Sequence, residues 1–358
     1  MKKNCLILNQ GYTDNIGDQL ICEMLTRLVE DAYNVESTNF IPFLEPVTIQ
    51  EAIRKRTSKE HISIAKKIIL VGKNTIRKIV TPYIYDYFRA MHRIRKEYSS
   101  KHYDLIIIGG GELLKSDHIF LPCLDAWTSF FYKQKARISL FGVSSDMTFT
   151  DYEKQKLNAV FKRFSYINVR DKSTVSVLNR DFKVQASYSP DCVFSYTSCF
   201  RDQPLKEDHV LVMVFDYWSL PSPRKWATID EYFSYWWNIV IEACQGNTKR
   251  VRFSYTTAED AECTQQFYQK YSQAFSGAPN LNVNYGKEQI ISDIAKAKVI
   301  VTGRMHAMIL AKQYNTKIVP FCFKRKIDDF VETWLDKKFD LELVTKEIHR
   351  EVQNMICC

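Results

Sequence analysis

The chain has 358 residues, of which 46% are hydrophobic, so it is long enough to form two folded domains with buried cores. Only four apolar residues, from Cys5 to Leu8, follow its basic start. We therefore expect neither a signal peptide nor a membrane-spanning helix, and we expect the protein in the cytoplasm. Its net charge of +9 is concentrated in residues 53–102, which contain fourteen Lys or Arg against three acidic residues.

The spacing of cysteine and histidine does not indicate a metal site. The ten cysteines contain no paired C-x-x-C motif, and no two of the seven histidines show the H-x-x-x-H spacing. We expect reduced thiols in the core and no bound metal.

The first half of the sequence alternates apolar strand patterns with helical patterns. Strands are predicted at residues 5–9, 35–40, 104–108, 137–141, 165–169 and 183–186. The polar passage 197–208 follows, and because it contains Pro204 it is the predicted domain boundary.

The second half repeats the alternation. Strands are predicted at 209–215, 250–255, 281–285, 298–302 and 316–321, with helices near 230–244, 259–275, 287–297 and 305–314. A final helical stretch, 326–355, is expected to brace the first domain.

This order predicts an α/β protein with two doubly wound, Rossmann-like domains that face a cleft. The predicted domains are residues 1–196, including the basic insert 53–102, and residues 197–325, followed by a C-terminal helical segment, 326–358. In such sheets ligands bind beyond the carboxyl ends of the strands, so the segments that follow the strands are the candidate site.

The first strand leads into the turn G-Y-T-D-N-I-G-D at 11–18. Asp18 is predicted to cap the following helix, while Asn15 and Gly17 shape a turn whose backbone amides can meet a ligand. A purely structural turn would use the same residues.

The third strand is predicted to end in a glycine loop, Gly109-Gly110-Gly111-Glu112. Glycines allow the backbone to approach a phosphate or sugar closely. The chain contains neither G-x-G-x-x-G nor G-x-x-x-x-G-K-[ST], so we expect no dinucleotide or P-loop site.

Two further strand ends carry charged residues. Arg170 follows strand 165–169 and either points into the cleft or pairs with Asp171, which is a candidate helix cap. Asp191, in the S-P-D triplet, either contributes a carboxylate to the site or belongs to a hinge.

The most informative stretch is V-T-G-R-M-H-A-M-I-L-A at 301–311. A strand ends at Gly303 and an apolar helix begins at once, with Arg304 and His306 in its predicted first turn. The N-terminus of a helix attracts anions, a guanidinium matches phosphate or carboxylate, and an imidazole can transfer a proton near neutral pH. Taken alone, the stretch also allows a structural interpretation, in which Arg304 caps a neighbouring element and His306 packs in the core.

Together these motifs resemble the polysaccharide pyruvyl transferases, in that family's order. The matching stretches are N-I-G-D at 15–18, D-L-I-I-I-G-G-G at 104–111, V-R-D-K-S at 169–173, S-P-D at 189–191 and G-R-M-H-A-M-I-L-A at 303–311. The resemblance covers most of the chain and implies a GT-B-like fold. The sequence departs from it at 140–146, which has one glycine where family members often have a longer glycine-rich passage.

The resemblance implies transfer of the pyruvyl group of phosphoenolpyruvate to a sugar of a surface polysaccharide precursor, with a lipid-linked precursor expected. The product is a cyclic ketal and phosphate is released, with no cofactor besides this co-substrate. His306 is the expected proton donor to the methylene carbon, and Arg304 is expected to stabilise the departing phosphate. The donor-binding residues implied are Arg304, Gly303, Lys326 and Arg170.

On the acceptor side the candidates are Asn15, Gly17, Asp18, Gly110, Gly111, Glu112 and Asp191. Asp18, Glu112 or Asp191 could orient or deprotonate the acceptor, and the sequence does not choose between them.

Other functions remain open at this level. A GT-B glycosyltransferase would bind a nucleotide sugar in the same cleft, and a glycan-binding protein without activity could retain the fold. The basic insert 53–102 could lie on an anionic membrane that carries the acceptor, or be an ordinary pair of surface helices. Its charge alone would also suit nucleic acid, although no nucleic-acid partner is expected.

Overall fold

The computed structural model describes residues 2–57, 82–200, 204–222, 225–275, 286–335 and 339–358. Its strands are β1 (Lys3–Asn9), β2 (Tyr33–Asn39), β3 (Leu105–Leu114), β4 (Arg137–Ser145), β5 (Tyr166–Val169), β6 (Ser187–Tyr188), β7 (Glu207–Met213), β8 (Val251–Phe253), β9 (Ala297–Thr302) and β10 (Lys317–Pro320). They form two parallel sheets, with the orders β2-β1-β3-β4-β5-β6 and β10-β9-β7-β8.

Helices connect the parallel strands, as crossover connections require. They are α1 (Ile16–Val29), α2 (Ile49–Thr57), α3 (Pro82–Tyr98), α4 (Phe120–Lys133), α5 (Asp151–Phe161), α6 (Lys172–Phe182), α7 (Tyr196–Phe200), α8 (Ile229–Ala243), α9 (Ala258–Lys270), α10 (Lys287–Lys296), α11 (Met305–Gln313), α12 (Arg325–Phe330) and α13 (Leu341–Cys357). The predicted α/β fold with two facing Rossmann-like sheets is confirmed.

Strand β1, which pairs with β2 and β3, is buried on both faces. Cys5 and Ile7 pack into one hydrophobic core, whereas Leu6 and Leu8 pack into another. Successive side chains of a strand point to opposite faces, so an unbroken apolar run buries both faces only when helices cover each of them. The core that contains Cys5 continues into the second sheet, and the two halves therefore share buried apolar surface.

Two hydrogen bonds from backbone N–H groups join the two halves beside the cleft. The Ile16 N–H donates to the Thr256 carbonyl at 2.9 Å, and the Ala258 N–H at the start of α9 donates to the Asp14 carboxylate at 2.9 Å. The turn after β1 thus provides part of the cap of a helix in the other half.

The C-terminal helix α13 returns to the first sheet. Arg137 in β4 donates to the Ile356 carbonyl at 2.9 Å, and the Tyr166 hydroxyl in β5 donates to Glu351 at 2.5 Å.

Two predicted elements differ in the structure. Residues 183–186 do not form a strand, because Lys183 adopts a left-handed conformation (φ 55°) that ends α6, and β6 begins only at Ser187. The glycines 109–111 are not a loop but lie within β3, which pairs with β4 as far as Leu114.

Other predictions fall on residues that the structure does not describe. These are the strand 281–285 and the middle of the basic insert, 58–81, of which α2 and α3 form the described flanks. Among the described helices, none has the length and hydropathy that crossing a bilayer requires.

Candidate active site

The strand ends of both sheets border one cavity of about 180 Å³. It is lined from the first sheet's side by Gln10, Asn15, Gly17, Asp18, Gly111, Glu112, Lys115 and Arg170, and from the second by Phe215, Thr256, Gly303, Arg304, Met305, His306, Ala307, Phe323, Lys324 and Lys326. The cavity therefore joins four of the sequence motifs in space.

The guanidinium of Arg304 forms a bidentate ion pair with a buried carboxylate on the side away from the cavity. It lies immediately before α11, and its Nε and Nη2 donate to the two oxygens of Asp260 at 2.6 and 2.7 Å. Nη2 also donates to the Thr257 hydroxyl at 3.2 Å, and the guanidinium carbon lies 4.3 Å from the centre of the Phe215 ring. Asp260 is fully buried, so this bidentate pair fixes the guanidinium while Nη1 has no described hydrogen-bond partner.

His306 lies in the first turn of α11 against the first domain. Its Nε2 is 3.5 Å from Asp191 Oδ2 and 3.4 Å from Arg170 Nη1. On the other side Gly17 closes on the ring, because a Cβ at Gly17 would come within 2.1 Å of Nδ1. A glycine is required here so that the two domains can meet around the imidazole.

Arg170 is sealed between domains and does not pair with Asp171. Its Nη1 donates to Asp191 at 2.7 Å and its Nε to the Ser144 hydroxyl at 2.7 Å. Asp171 instead caps α6 by accepting from the Thr174 N–H at 2.7 Å.

Asp191 lies behind the cavity wall and cannot contact an acceptor directly. It is 5% exposed and also accepts the Val193 N–H at 3.0 Å. Burial alone would raise its pKa, but the charges of Arg170 and His306 hold the pKa well below its usual range. Asp191 is therefore a fixed anion that orients Arg170 and His306.

Glu112 pairs with Lys326 across the cleft, and Lys115 lies 3.9 Å from its other oxygen. Burial opposes ionisation, but Lys326 and the nearby charges of Arg170 and Lys115 lower the pKa of Glu112 to about 2. The predicted donor-binding Lys326 is thus occupied by a carboxylate that stays ionised.

Lys324 is a second cavity cation, besides Lys115, that sequence reasoning missed. Its ammonium lies 5.6 Å from the centre of the Phe323 ring, and no described carboxylate is within ion-pair distance. Burial, reinforced by the charges of Lys326 and Arg304, lowers the pKa of Lys324. The segment F-C-F-K-R-K contained this signal, but only folding distinguishes the paired lysine from the unpaired one.

Asp18 is the third residue of α1 and not its cap. Asn15 is the cap, because its side chain accepts the Gly17 N–H at 2.9 Å, and its amide donates to Asp18 at 3.0 Å. Burial raises the pKa of Asp18 even though the charges of His306 and Arg170 act against it. No described cation forms an ion pair with this carboxylate.

At two positions, glycine is needed because a side chain would collide with neighbouring residues. At Gly110, φ is +73° and a Cβ would come within 1.8 Å of Ile21 in α1, so this residue packs against the helix and does not line the cavity. At Gly303, a Cβ would meet the rings of Phe321 and Phe323 at 3.0 Å. Gly111, with φ +76°, does line the cavity.

No group of three potential metal-ligating side chains occurs among the residues that the structure describes. The chemistry available in the cavity is that of cations, carboxylates and one imidazole. Sequence reasoning did not identify Asp260, Lys115 or Lys324, because nothing local distinguishes them from surface charges.

Two parallel Rossmann-like sheets around one cleft define a protein of the GT-B type. Similar solved structures are a Listeria monocytogenes protein assigned as a UDP-N-acetylglucosamine 2-epimerase (10% identity, 99% of this chain and 89% of that one, TM-score 0.53) and Staphylococcus aureus MnaA with UDP (11%, 99% and 88%, 0.51). The UDP-GlcNAc 2-epimerase of Methanocaldococcus jannaschii with UDP-GlcNAc and UDP is 10% identical over all of both chains, with a TM-score of 0.50. At such identities the likeness concerns the fold.

The chain belongs to the polysaccharide pyruvyl transferase family, whose sequence profile matches residues 15–321. No curated protein matches the sequence. Membership of this family makes the protein a transferase, as the resemblance predicted.

Proposed function

We propose that the protein transfers the pyruvyl group of phosphoenolpyruvate to a sugar of a surface polysaccharide precursor, forming a cyclic ketal and releasing phosphate. The observation that carries this proposal is the unpaired Lys324 beside Arg304 and His306, in a member of this family. A multiply anionic donor would relieve the repulsion between the charges of Lys324 and Arg304.

The donor is proposed to bind between α11 and α12. Arg304 offers Nη1 and Lys324 its ammonium, and the amides in the first turn of α11, including those of Met305 and Ala307, are available to an anion. Such a set can hold a carboxylate and a phosphate at once. Lys326 can join it only when its contact with Glu112 opens.

His306 is the proposed acid that protonates the methylene carbon of the donor, so that positive charge develops at the carbon bearing phosphate. The Asp191 carboxylate and the Arg170 guanidinium, both near Nε2, orient the ring. Arg304 stabilises the phosphate as it leaves.

Asp18 is the proposed acceptor-side base. Among the three carboxylates predicted for this role, it alone lines the cavity without a cationic partner among the described residues. One sugar hydroxyl adds to the electron-poor carbon as Asp18 takes its proton. A second hydroxyl of the same sugar then displaces phosphate, which leaves with that hydroxyl's proton.

The direct test is incubation with phosphoenolpyruvate and a panel of free and lipid-linked glycans, followed by mass spectrometry and phosphate release. We expect a ketal product that Asp18→Asn reduces strongly, whereas Asp31→Asn, an exposed carboxylate outside the cavity, leaves it unchanged. Phosphoenolpyruvate consumption without ketal, or no consumption with any glycan, would contradict the proposal.

A nucleotide-sugar glycosyltransferase is the second candidate, because two of the similar solved structures contain UDP. Thermal unfolding separates the two. A ligand at a hundred times its Kd stabilises the folded state by about 2.7 kcal/mol. We expect phosphoenolpyruvate to raise the Tm of the wild type and to do so much less in Lys324→Ala, and we expect UDP-sugars to have no effect. The opposite result favours the glycosyltransferase.

A further inference from the structure

A group of large apolar side chains is exposed on the first domain. Ile84 and Phe88 stand one helical turn apart on α3, with 42% and 64% of their surface exposed, and Leu44 after β2 is 48% exposed. Tyr152 on α5 is also 48% exposed. Exposed apolar side chains that cluster, instead of being scattered singly, mark an interaction surface.

Ring contacts connect Phe88 to Tyr152, because the Tyr87 ring packs edge-on against Phe88 at 5.6 Å and stacks on Tyr83 at 6.5 Å. The Arg89 guanidinium lies 3.8 Å from the centre of the Phe43 ring. This contact joins α3 to the segment after β2 that contains Leu44. The Tyr83 ring packs edge-on against Tyr152 at 5.6 Å, which joins α3 to α5. We call Leu44, Ile84, Phe88 and Tyr152 the rim surface.

The rim surface lies at the cleft edge of the first sheet. The end of α3 leads to residue 104, whose N–H donates to the Asn4 carbonyl at the opposite edge, where β1 begins. The first turns of α3, with Ile84 and Phe88, therefore lie near the carboxyl ends of the strands, where the cavity opens.

The charge next to the rim surface is mainly positive. Beyond Phe88, the exposed side chains of α3 are His92, Arg93, Arg95, Lys96 and one acid, Glu97. The Lys156 ammonium lies over the Tyr83 and Tyr152 rings, at 4.9 and 5.5 Å from their centres. The exposed acids at this edge include Glu45, 3.5 Å from Arg93, and Asp151. Apolar and basic side chains are thus arranged in sequence along one helix.

We propose that the rim surface docks on an anionic lipid bilayer. Ile84 and Phe88 enter the interface, and Arg93, Arg95 and Lys96 contact the phosphate headgroups. Nucleic acid would match the positive charge but gives no reason for exposed aliphatic side chains. Docking in this orientation holds the cleft next to the bilayer, independently of which reaction occurs there.

The test is flotation of the purified full-length chain with vesicles of phosphatidylcholine alone or with phosphatidylglycerol added. We expect binding only to the anionic vesicles, and we expect Phe88→Glu to weaken it about tenfold or more. The double variant Arg95→Glu, Lys96→Glu should weaken binding similarly. The matched control is Leu205→Glu, which removes a 90% exposed apolar side chain elsewhere and should bind like the wild type.

Because Phe88 is exposed, Phe88→Glu should unfold at the wild-type Tm, and this is checked first. The proposal is overturned if the folded variant binds the anionic vesicles as the wild type does, if neutral vesicles bind equally, or if neither kind of vesicle binds. No substrate is present, so a negative result leaves the pyruvyl-transfer proposal to its own test.

Discussion

Each domain holds one guanidinium against a buried aspartate, but the two pairs differ in what they leave accessible. The Arg170 and Asp191 side chains are only 5% and 7% exposed, and Arg170 contacts His306. Arg304 grips Asp260 with two nitrogens, yet 23% of its side chain is exposed to the cavity. The same residue types therefore serve different purposes: Arg170 positions the imidazole, and Arg304 is available to a ligand.

That both arginines bind the donor stays a prediction, because both side chains line the cavity. The guanidinium of Arg170 already contacts Asp191, Ser144 and His306, so we expect Arg304 to contribute more to donor binding than Arg170. Four variants should distinguish residues that position other side chains from residues that bind the ligand.

The largest effect is expected from Arg170→Ala, because it leaves Asp191 as a buried charge without its main partner. Breaking a buried pair in this way costs about 3–5 kcal/mol of folding free energy. Chemical denaturation measures this loss. Arg27→Ala, which removes an exposed pair with Glu30, should change stability far less, because solvent screens exposed ion pairs. Equal effects of both variants would remove the distinction between the sealed and exposed pairs.

His306→Gln is expected to lower kcat about 10²- to 10⁴-fold, because the side chain can no longer supply a proton. Thermal unfolding should stay close to the wild type, and His349→Gln, on the exposed side of α13, should leave kcat unchanged. A folded His306→Gln variant with normal kcat would show that another group is the acid.

Arg304→Lys is expected to raise KM for phosphoenolpyruvate about ten- to a hundredfold, because an ammonium cannot hold both oxygens of Asp260 and still reach the ligand. Steady-state kinetics provide the measurement, with Lys317→Ala on β10 as a control for removing positive charge outside the cavity. If neither KM nor kcat changes, Arg304 has only a structural role.

The smallest effect is expected from Glu112→Gln, and it depends on pH. The folded-state pKa of Glu112 is about 2, below its ordinary value of 4.5, so its contribution to stability is present above about pH 4.5 and lost as the pH falls toward 2. The free energy of unfolding of the variant should therefore differ from that of the wild type by at most about 1 kcal/mol. This difference should stay constant between pH 5 and 8 and become smaller in acid. A difference that grows in acid would contradict this assignment.

The comparison also shows how far sequence patterns reach. Apolar runs predicted most strands, and the motifs after them converge because parallel strands end at the same edge of a sheet. Two predictions were wrong, namely Asp18 as the cap of α1 and a loop at the glycines that in fact lie within β3. Turn residues and glycines are locally compatible with both alternatives.

The sequence by itself determined the two-sheet α/β fold, the family, and the corner at Gly303 to His306, because these depend on local periodicity and residue order. Only the tertiary structure decided which charges are neutralised. Asp260, Asp191 and Glu112 occupy Arg304, Arg170 and Lys326, while Lys324 and Asp18 have no ionic partner among the described residues. Such pairing acts through space between distant parts of the chain, and burial then sets its strength.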